Sequence, residues 1–221
     1  MPYSIAIDGP AGAGKSTIAR AVAGELGFVY VDTGAMYRAL GLLCIEKGIP
    51  VGEEAAVVRA AEDADVSIAY DESGAQQVYL NGENVSGRIR TQEVGNAASA
   101  VSQYQPVRRK LVSLQQKLAA ETSVVMDGRD IGSKVLPGAD LKIYLTASAH
   151  VRAKRRMKEL LEKGEEAELS RIEAEIIERD ERDMHRTNSP LIRVPDAVLV
   201  DTSDMTIDET IDAILKLTAA G

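Results

Sequence analysis

Short apolar runs alternate along the chain with longer segments whose apolar residues recur at helical spacing. Residues 4–7 form one such run and precede a helical pattern over Lys15–Leu26, and residues 28–31 precede a second helical pattern that ends near Ile45. Further runs predict strands at residues 123–126, 141–145 and 197–200, and a closing helix at residues 207–217. Because strands that alternate with helices form parallel sheets, we expect an α/β fold with a doubly wound parallel sheet.

Two segments depart from this alternation. Val66–Tyr70 and residues 77–80 alternate as strands around a turn at residues 73–74, which predicts a small antiparallel β insert. Residues 151–186 are strongly charged, with a helical pattern that breaks near Gly164 and few apolar residues to anchor them. We expect them to form a mobile helical lid. The whole chain is predicted to be one unit, with a core at residues 1–62, 92–150 and 187–221, an insert at residues 63–91 and a lid at residues 151–186.

Length and composition narrow the class of protein. A chain of 221 residues is long enough for one core with small insertions. The formal net charge of -8 argues against a nucleic-acid or anionic-membrane partner, because such partners usually require a basic face. The single cysteine, Cys44, excludes an intrachain disulfide and a cysteine-rich zinc site, and we expect it to be a small buried apolar residue. Without a long apolar run or an apolar stripe, we expect a cytoplasmic monomer.

A glycine-rich stretch follows the first predicted strand and opens the first predicted helix. It satisfies the pattern G-x-x-x-x-G-K-[ST], known as the P-loop, with the residues Gly9, Pro10, Ala11, Gly12, Ala13, Gly14, Lys15 and Ser16. Its backbone N–H groups and the helix N-terminus are suited to cradle phosphates. We expect Lys15 to reach the outer phosphates, Ser16 to ligate magnesium and Thr17 to add a phosphate contact.

A P-loop alone predicts nucleotide binding and does not separate kinases from GTPases or ATPase motors. The guanine-reading pattern Asn-Lys-x-Asp does not occur in the sequence, which argues against a GTPase. The chain instead offers arginines at separated positions, and their planar guanidinium groups match phosphate oxygens. These are Arg38, Arg108, Arg109, Arg129, Arg179, Arg182 and Arg186.

The last three of these arginines have a spacing with two interpretations. If residues 176–186 are helical, Arg179, Arg182 and Arg186 share one face and are able to clamp phosphates together. The alternative is a solvated face that pairs with the interspersed carboxylates, which is the commoner outcome for a charge run. Asp127 is also open to two interpretations. It ends an apolar run, so it is either a magnesium-binding carboxylate at the end of a strand or a helix N-cap.

Five blocks resemble, in the same order, the signatures of the bacterial cytidylate kinase family of P-loop nucleoside monophosphate kinases. They are the glycine loop, Asp32-Thr-Gly-Ala-Met-Tyr-Arg38, Gly87-Arg-Ile-Arg-Thr-Gln-Glu-Val94 with Asn96-Ala-Ala-Ser99, Asp127-Gly-Arg-Asp-Ile-Gly132, and Glu178-Arg-Asp-Glu-Arg-Asp183 with Arg186. The resemblance runs nearly end to end. It implies a parallel-sheet core, a nucleoside-monophosphate-binding insert, a mobile lid, and transfer of the γ-phosphoryl group from ATP, with Mg²⁺, to CMP or dCMP.

The resemblance also implies residue roles. Arg38, Arg129, Arg179 and Arg186 would hold the acceptor phosphate and the group in flight, and Lys15, Arg129, Arg179 and Arg186 would be the catalytic set. Ser99, Arg108 and Asp130 would read the cytosine ring, Asp183 the ribose, and Asp32 and Thr33 would also contact the acceptor. A carboxylate that accepts from the cytosine amino group leaves uracil mispaired, so cytosine should be preferred. Taken alone, Ser99 is more readily interpreted as an ordinary helical serine.

Other readings stay open from the residues themselves. Arg155 and Arg156 are candidates for stacking on adenine or are ordinary surface arginines. His150 and His185 lie far apart in sequence and are expected to be neither ligands nor bases. The rival functions are an adenylate or uridylate kinase, a kinase for a non-nucleotide acceptor such as shikimate, and a regulatory module that binds ATP without turnover.

Overall fold

The computed structural model describes residues 2–219, which divide into two compact units. Residues 2–30 and 122–219 form the first unit, and Val31–Glu121 forms the second. The strands are β1 Ser4–Asp8, β2 Val29–Asp32, β3 Val66–Tyr70, β4 Gln76–Leu80, β5 Glu83–Asn84, β6 Val124–Gly128, β7 Leu141–Thr146 and β8 Val198–Asp201. The α-helices are α1 Lys15–Leu26, α2 Thr33–Glu46, α3 Glu54–Asp63, α4 Gln92–Val101, α5 Gln105–Glu121, α6 Ala149–Glu162, α7 Leu169–His185 and α8 Ile207–Ala219.

The first unit is built on a five-stranded parallel sheet in the order β2-β6-β1-β7-β8. At its centre, Ile7 of β1 lies opposite Asp127 of β6 and Ile143 of β7. Ile5 and Ile7 are fully buried, since helices cover both faces of a parallel sheet and its central strands become continuous apolar runs. The α1 and α8 helices contribute to this core through Ile18 and Ile214. The predicted α/β fold is confirmed, and each of the five predicted core strands lies within two residues of an observed one.

The second unit contains a three-stranded antiparallel sheet in the order β3-β4-β5 and the helices α2 to α5. Val66 lies opposite Leu80 across the predicted turn, and the short strand β5, which was not predicted, adds a third strand within the predicted bounds of the insert. In the second unit the helices α2 and α4 pack closely. A Cβ atom on Gly41 would lie only 2.8 Å from the backbone nitrogen of Ala98. The predicted division into core, insert and lid stays a prediction.

The helices α3 and α5 and a single π-helical turn at Ile131–Val135 were not predicted, and α4 was anticipated only through the helical interpretation of Ser99. The α4 helix carries Gly95 and Asn96, two poor helix formers, and is held by packing against α2. Thr91 caps it, accepting from the backbone nitrogen of Val94 at 3.2 Å. Tertiary contacts, rather than local propensity, therefore define this region.

Residues 151–186 form the two helices predicted there, α6 and α7. The connection between them contains Gly164 with φ of 75°, a left-handed conformation that glycine adopts without strain. Cys44 is buried, as expected. Within residues 2–219 no helix combines the length and the apolar character that a membrane crossing requires.

Candidate active site

The glycine loop connects β1 to α1 as predicted, and its glycines are required by geometry. Gly9 has φ of 153°, and a Cβ atom there would lie 1.9 Å from the carbonyl oxygen of Leu145. Gly14, with φ of 88°, stands at the N-cap position of α1 in the left-handed region. Backbone N–H groups and the open end of a helix thus converge at one loop, which is the arrangement that binds phosphate.

Lys15 lies buried within the curve of this loop and donates from Nζ to the carbonyl oxygen of Pro10 at 2.7 Å. Burial lowers the pKa of the Lys15 amine well below its usual value, and the charge of Arg129 lowers it further, while Asp127 and Asp8 oppose the shift. The negative charge of bound phosphates would favour the ammonium form again. The position fits the predicted role of Lys15 at the outer phosphates.

Ser16 and Asp127 are brought together as the predicted magnesium pair. The Ser16 hydroxyl donates to Asp127 Oδ2 at 2.9 Å, and the hydroxyl of Tyr30 donates to Asp127 Oδ1 at 2.9 Å. Asp127 lies inside β6, so its interpretation as a helix N-cap is wrong. Hydroxyl and carboxylate oxygens are hard ligands of the kind that Mg²⁺ prefers, and a nucleotide-bound Mg²⁺ needs few protein ligands. The residues fit this metal, and Tyr30 is a supporting residue that sequence reasoning missed.

Arginines of the first unit gather around Asp183 of α7. Arg129 donates from Nε to Asp183 Oδ2 at 2.9 Å. Burial alone would raise the pKa of Asp183, but Arg129, followed by Arg179 and Arg186, holds it below its ordinary value. Three of the four predicted phosphate-binding arginines therefore act on one carboxylate, and their positive charge exceeds its single negative charge.

The prediction of a continuous helical face through residues 176–186 is wrong at its end. The α7 helix ends at His185, and Arg186 is extended, with φ of -64° and ψ of 142°. From there Arg186 donates from Nε to the carbonyl oxygen of Ser189 at 2.5 Å, and its Nη2 lies 4.0 Å from Asp130 Oδ1. Arg182 is exposed on α7 and pairs with Glu178 at 3.9 Å. Because the chain leaves the helix, Arg186 stays with the arginines around Asp183. Arg182 instead lies on the solvated face, as the alternative interpretation predicted.

Asp130 is buried just before the π-helical turn, in the segment that also carries Arg129. The turn itself is held by Asp8 at the end of β1. Asp8 Oδ1 accepts from the backbone nitrogen of Ile131 at 2.7 Å, and Oδ2 accepts from that of Gly132 at 2.8 Å. Burial raises the pKa of Asp8 to about 6, despite these two donors. Sequence reasoning missed Asp8, although a charged residue that ends a buried strand was a signal for it.

Arg152 of α6 is a second buried residue that sequence reasoning missed. It donates to both carboxylate oxygens of Asp180 on α7, at 3.1 and 2.5 Å, and to the carbonyl oxygen of Ala11 in the glycine loop at 2.9 Å. It also donates from Nε to Ala147 at 2.8 Å. A single guanidinium group thus ties the phosphate loop to both charged helices.

In the second unit, Asp32 and Arg38 both contact the stretch of residues 89–91. Asp32 caps α2 by accepting from the backbone nitrogen of Ala35 at 3.0 Å, and it pairs with Arg90 at 2.9 Å. Arg38 donates to the carbonyl oxygens of Ile89 and Thr91 at 2.9 and 3.1 Å. The stretch of residues 89–91, which precedes α4, is therefore held by Asp32 and Arg38, two residues of the same sequence block. Thr33, the first residue of α2, is buried.

The two predicted base-reading residues of this unit lie on α4 and α5. Arg108 is buried, with its guanidinium carbon 5.4 Å from the centre of the Tyr37 ring and a bond from Nη1 to the carbonyl oxygen of Ser102 at 3.2 Å. Ser99 is half-buried on α4, and its carbonyl oxygen accepts from Ser102. Arg108 is thus a preorganised cation, while the helical interpretation of Ser99 is confirmed and its side-chain role stays a prediction.

Four of the remaining candidates have ordinary structural partners. Arg155 donates to the hydroxyl and carbonyl oxygens of Thr202 at 3.1 and 2.7 Å, and Arg156 pairs with Glu159. The exposed His150 lies 2.9 Å from Glu173. His185, which is also exposed, lies 3.1 Å from Glu181. The expectation that neither histidine is a ligand or a base stays a prediction.

Comparison with known proteins adds an independent result. A family model described as cytidylate kinase matches residues 5–220. The cytidylate kinase of Symbiobacterium thermophilum is 46% identical over 212 residues, which cover 96% of this chain and 94% of that protein. The cytidylate kinase of Caldicellulosiruptor saccharolyticus is 47% identical over 214 residues, covering 97% of this chain and 94% of that protein.

Among solved structures, an uncharacterised protein from Eubacterium ventriosum covers 99% of both chains with a TM-score of 0.55 and 12% sequence identity. A sugar kinase from a Janibacter species covers 99% of this chain and 95% of that one, with a TM-score of 0.50 and 15% identity. At such low identity these structures support the fold alone, whereas the two sequence relatives match nearly the whole chain.

Proposed function

The chain belongs to the cytidylate kinase family, and from this premise we propose how its own residues carry out the reaction. It is an enzyme that transfers the γ-phosphoryl group of ATP to CMP or dCMP, giving ADP and CDP or dCDP. The match over residues 5–220 carries this conclusion. The contacts within each unit support the roles of individual side chains.

The glycine loop holds the donor phosphates. Backbone N–H groups of residues 9–14 and the N-terminus of α1 surround the phosphate oxygens, with Thr17 beside them. Lys15 turns its ammonium group from the carbonyl oxygen of Pro10 to the outer phosphates. Because phosphoryl transfer needs positioning and charge neutralisation rather than covalent help, no general base among the side chains is required.

Ser16 and Asp127 would hold magnesium. When bound, the metal supplies charge neutralisation between the donor phosphates. Asp127 is kept oriented by Tyr30, whose hydroxyl occupies one carboxylate oxygen while Ser16 occupies the other. The two protein oxygens are therefore in place before the nucleotide arrives.

Arg129, Arg179 and Arg186 neutralise the group in flight and the acceptor phosphate. All three act electrostatically on Asp183, so they form a positive cluster, and this carboxylate reduces the repulsion between the three cations. Negative charge develops on the transferring oxygens during the reaction. Such a cluster therefore binds the transition state more strongly than the ground state. Asp183 has a second role in this proposal, accepting a ribose hydroxyl of the acceptor.

Base selection rests on complementary hydrogen-bond donors and acceptors. Asp130 accepts from the cytosine amino group, Arg108 donates to the ring acceptors, and Ser99 adds a hydroxyl contact. Uracil presents an acceptor where cytosine presents that amino donor, so it would leave a buried carboxylate mispaired at a cost of roughly 1–3 kcal/mol. The burial of Asp130 and Arg108 supports the proposal, because a mispaired buried group cannot turn to water.

The second unit also contacts the acceptor through the block that begins at Asp32. Arg38 binds the acceptor phosphate, with Asp32 and Thr33 beside it. Two backbone carbonyl bonds hold the Arg38 guanidinium in place, so part of its ordering entropy is lost before substrate binds. The insert at residues 63–91 belongs to the acceptor side of the enzyme and residues 151–186 form the lid. The enzyme is a cytoplasmic monomer in this proposal.

The arginine roles are testable on one helix. Arg179→Ala should reduce kcat/KM for CMP by about 100-fold or more, since a donor to developing transition-state charge is lost. Arg182→Ala is the matched control, because Arg182 lies one turn away on α7 and is exposed. Its kcat/KM should stay within about twofold of the wild-type value. Equal losses in the two variants would refute the assignment of Arg179.

A further inference from the structure

Asp8 has no role in the reaction as proposed above. It is the last residue of β1 and directly precedes the glycine loop, and it is 6% exposed. An ionised carboxylate in such a place needs strong donors. Its two oxygens receive one backbone N–H group each, at 2.7 and 2.8 Å, from consecutive residues of the segment that follows β6. No other described hydrogen bond from β1 reaches that segment through a side chain.

These two bonds cap the π-helical turn Ile131–Val135 from outside. Asp130 stands at the N-cap position, where an aspartate side chain commonly accepts from the turn that follows, but here it makes no such bond. The backbone carbonyl oxygen of Asp130 accepts within the turn, from Lys134 at 2.9 Å. Asp8 thus performs the capping task that an aspartate at the N-cap position commonly performs.

The packing around Asp8 leaves little freedom for this arrangement. A Cβ atom on Gly132 would lie 3.4 Å from Asp8 Oδ2 and 3.2 Å from Cδ of Lys142. The glycine allows its N–H group to approach the carboxylate closely. On the strand side, Asp8 lies opposite Gly128 in the parallel pairing of β1 with β6. The residues between Gly128 and Gly132, which include Arg129 and Asp130, are therefore fixed at both ends by β1.

We propose that Asp8 is a positioning residue for phosphoryl transfer, which holds residues 128–132 in the shape that presents Arg129 and Asp130 to the acceptor nucleotide. The inference rests on the proposed roles of those two residues. It makes the end of β1 a common support for the donor loop, which follows Asp8 in sequence, and for the acceptor-reading segment, which hydrogen-bonds to it. Asp8 contacts no substrate itself.

A merely structural role for Asp8 makes a different prediction. A buried carboxylate that only stabilises the fold would, when replaced, lower stability without changing the choice between acceptors. A positioning role changes the ratio of kcat/KM for CMP to kcat/KM for UMP, because the base-reading carboxylate moves. The test therefore compares acceptor preference and thermal unfolding in the same variants.

The decisive variant is Asp8→Asn, which keeps the size of the side chain and one acceptor oxygen but turns the other oxygen into a donor that faces an N–H group. We expect kcat/KM for CMP to fall by about 100-fold, as for a misplacement near 1 Å. The preference for CMP over UMP should narrow by about fivefold or more, and KM for Mg·ATP should change by less than about threefold. Asp140→Asn is the matched control, since Asp140 accepts from the backbone nitrogen of Ser4 in the same strand at 2.7 Å.

Asp130→Asn serves as the reference for the proposed function. If it narrows the preference for CMP and Asp8→Asn does not, the positioning role is refuted while the role of Asp130 stands. If neither Asp130→Asn nor Arg129→Lys affects CMP turnover, the proposed roles fail and the inference falls with them. Should Asp8→Asn not fold, Asp8→Glu retains the charge but displaces the turn by one methylene group. A narrowed preference in Asp8→Glu supports the inference, and a wild-type preference refutes it.

Discussion

Arg129 and Asp183 are joined by a bond of 2.9 Å from Nε to Oδ2, which links the segment after β6 to helix α7. The side chain of Asp183 is 9% exposed, and Arg179 and Arg186 act on the same carboxylate. A cluster of three cations is repulsive by itself, and the shared anion reduces that repulsion. The relationship explains why a carboxylate belongs in a site that binds phosphate.

The first prediction concerns this anion. Asp183→Asn removes its charge but preserves its shape, so the Arg129 guanidinium loses its charge-assisted partner. We expect kcat for CMP to fall by about 10- to 100-fold, with a smaller change in KM for Mg·ATP. Steady-state kinetics with each substrate varied in turn measure the effect. A normal kcat in a folded Asp183→Asn protein would contradict the role of the cluster.

A second prediction concerns Gly95 of α4, which leaves room for Arg38. A Cβ atom on Gly95 would lie 3.0 and 3.1 Å from the two terminal nitrogens of the Arg38 guanidinium. Gly95→Ala should raise KM for CMP by about 10-fold through displacement of Arg38, although alanine favours the helix by about 1 kcal/mol. Thermal unfolding and acceptor kinetics together separate the two effects. Asn96→Ala, at the exposed neighbouring position, should leave KM for CMP unchanged.

A third prediction is a pH dependence of stability that arises from Asp8. Its pKa is raised from 3.8 to about 6 in the folded protein, so the folded state binds the proton more tightly than the unfolded state does. The stabilisation is therefore fully present below pH 4 and is lost as the pH rises through 6. The loss is about 3 kcal/mol for a shift of roughly two units.

Urea unfolding of the wild-type protein and Asp8→Asn between pH 4 and 8 measures this contribution, because the amide does not titrate. The free energy of unfolding of the wild type, relative to the variant, should decline between pH 4 and 6 and then level off. A difference that grows with pH would mean that the folded state prefers the ionised carboxylate.

A fourth prediction concerns the buried pair of Arg152 and Asp180, whose side chains are 5% and 13% exposed. Asp180→Asn leaves the arginine charge buried without its partner and should lower the free energy of unfolding by roughly 3–5 kcal/mol. Glu175→Gln breaks the exposed pair with Arg171 on the same helix and should cost less than about 0.5 kcal/mol. Chemical denaturation of the two variants provides the comparison, and similar losses would show that the pair is not effectively buried.

Motion of the lid is a fifth prediction. Helices α6 and α7 carry few buried apolar residues, with Ala153 and Ile172 among them, so local opening should require little free energy. Hydrogen exchange across residues 151–186 should slow when a bisubstrate analogue of ATP and CMP binds, because closure excludes water from the reacting groups. Unchanged exchange in this segment would contradict a moving lid.

The features that were predictable from the sequence are local ones. The glycine loop is recognisable from eight consecutive residues. The strand before it and the helix after it follow from the apolar pattern, so the bounds of β1 and α1 were predicted to within one residue. The bounds of helix α4 were not predicted because Gly95 and Asn96 weaken its propensity, although Thr91 offered a capping signal. Its existence depends on packing that no short window contains.

The residues missed in the site are those whose partners are distant in sequence. Arg152 meets Asp180 across 28 positions, and Asp8 meets Ile131 across 123. Arg152 stands in a charged segment, where buried and exposed arginines look alike in the sequence. Asp8 follows an apolar run that hints at burial, but only the folded chain shows which groups it binds. Arg186 shows a different error. Its regular spacing from Arg179 and Arg182 suggested that it is helical, but α7 ends one residue before it, at His185.

The most direct test is initial-rate formation of ADP by the wild-type enzyme, with Mg·ATP and each of CMP, dCMP, UMP, AMP, GMP and shikimate in parallel. The account predicts strong turnover with CMP and dCMP and a kcat/KM for UMP lower by about 10-fold or more, as one mispaired buried group requires. Equal or faster turnover with UMP, AMP or shikimate would contradict the proposed base-reading roles of Ser99, Arg108 and Asp130.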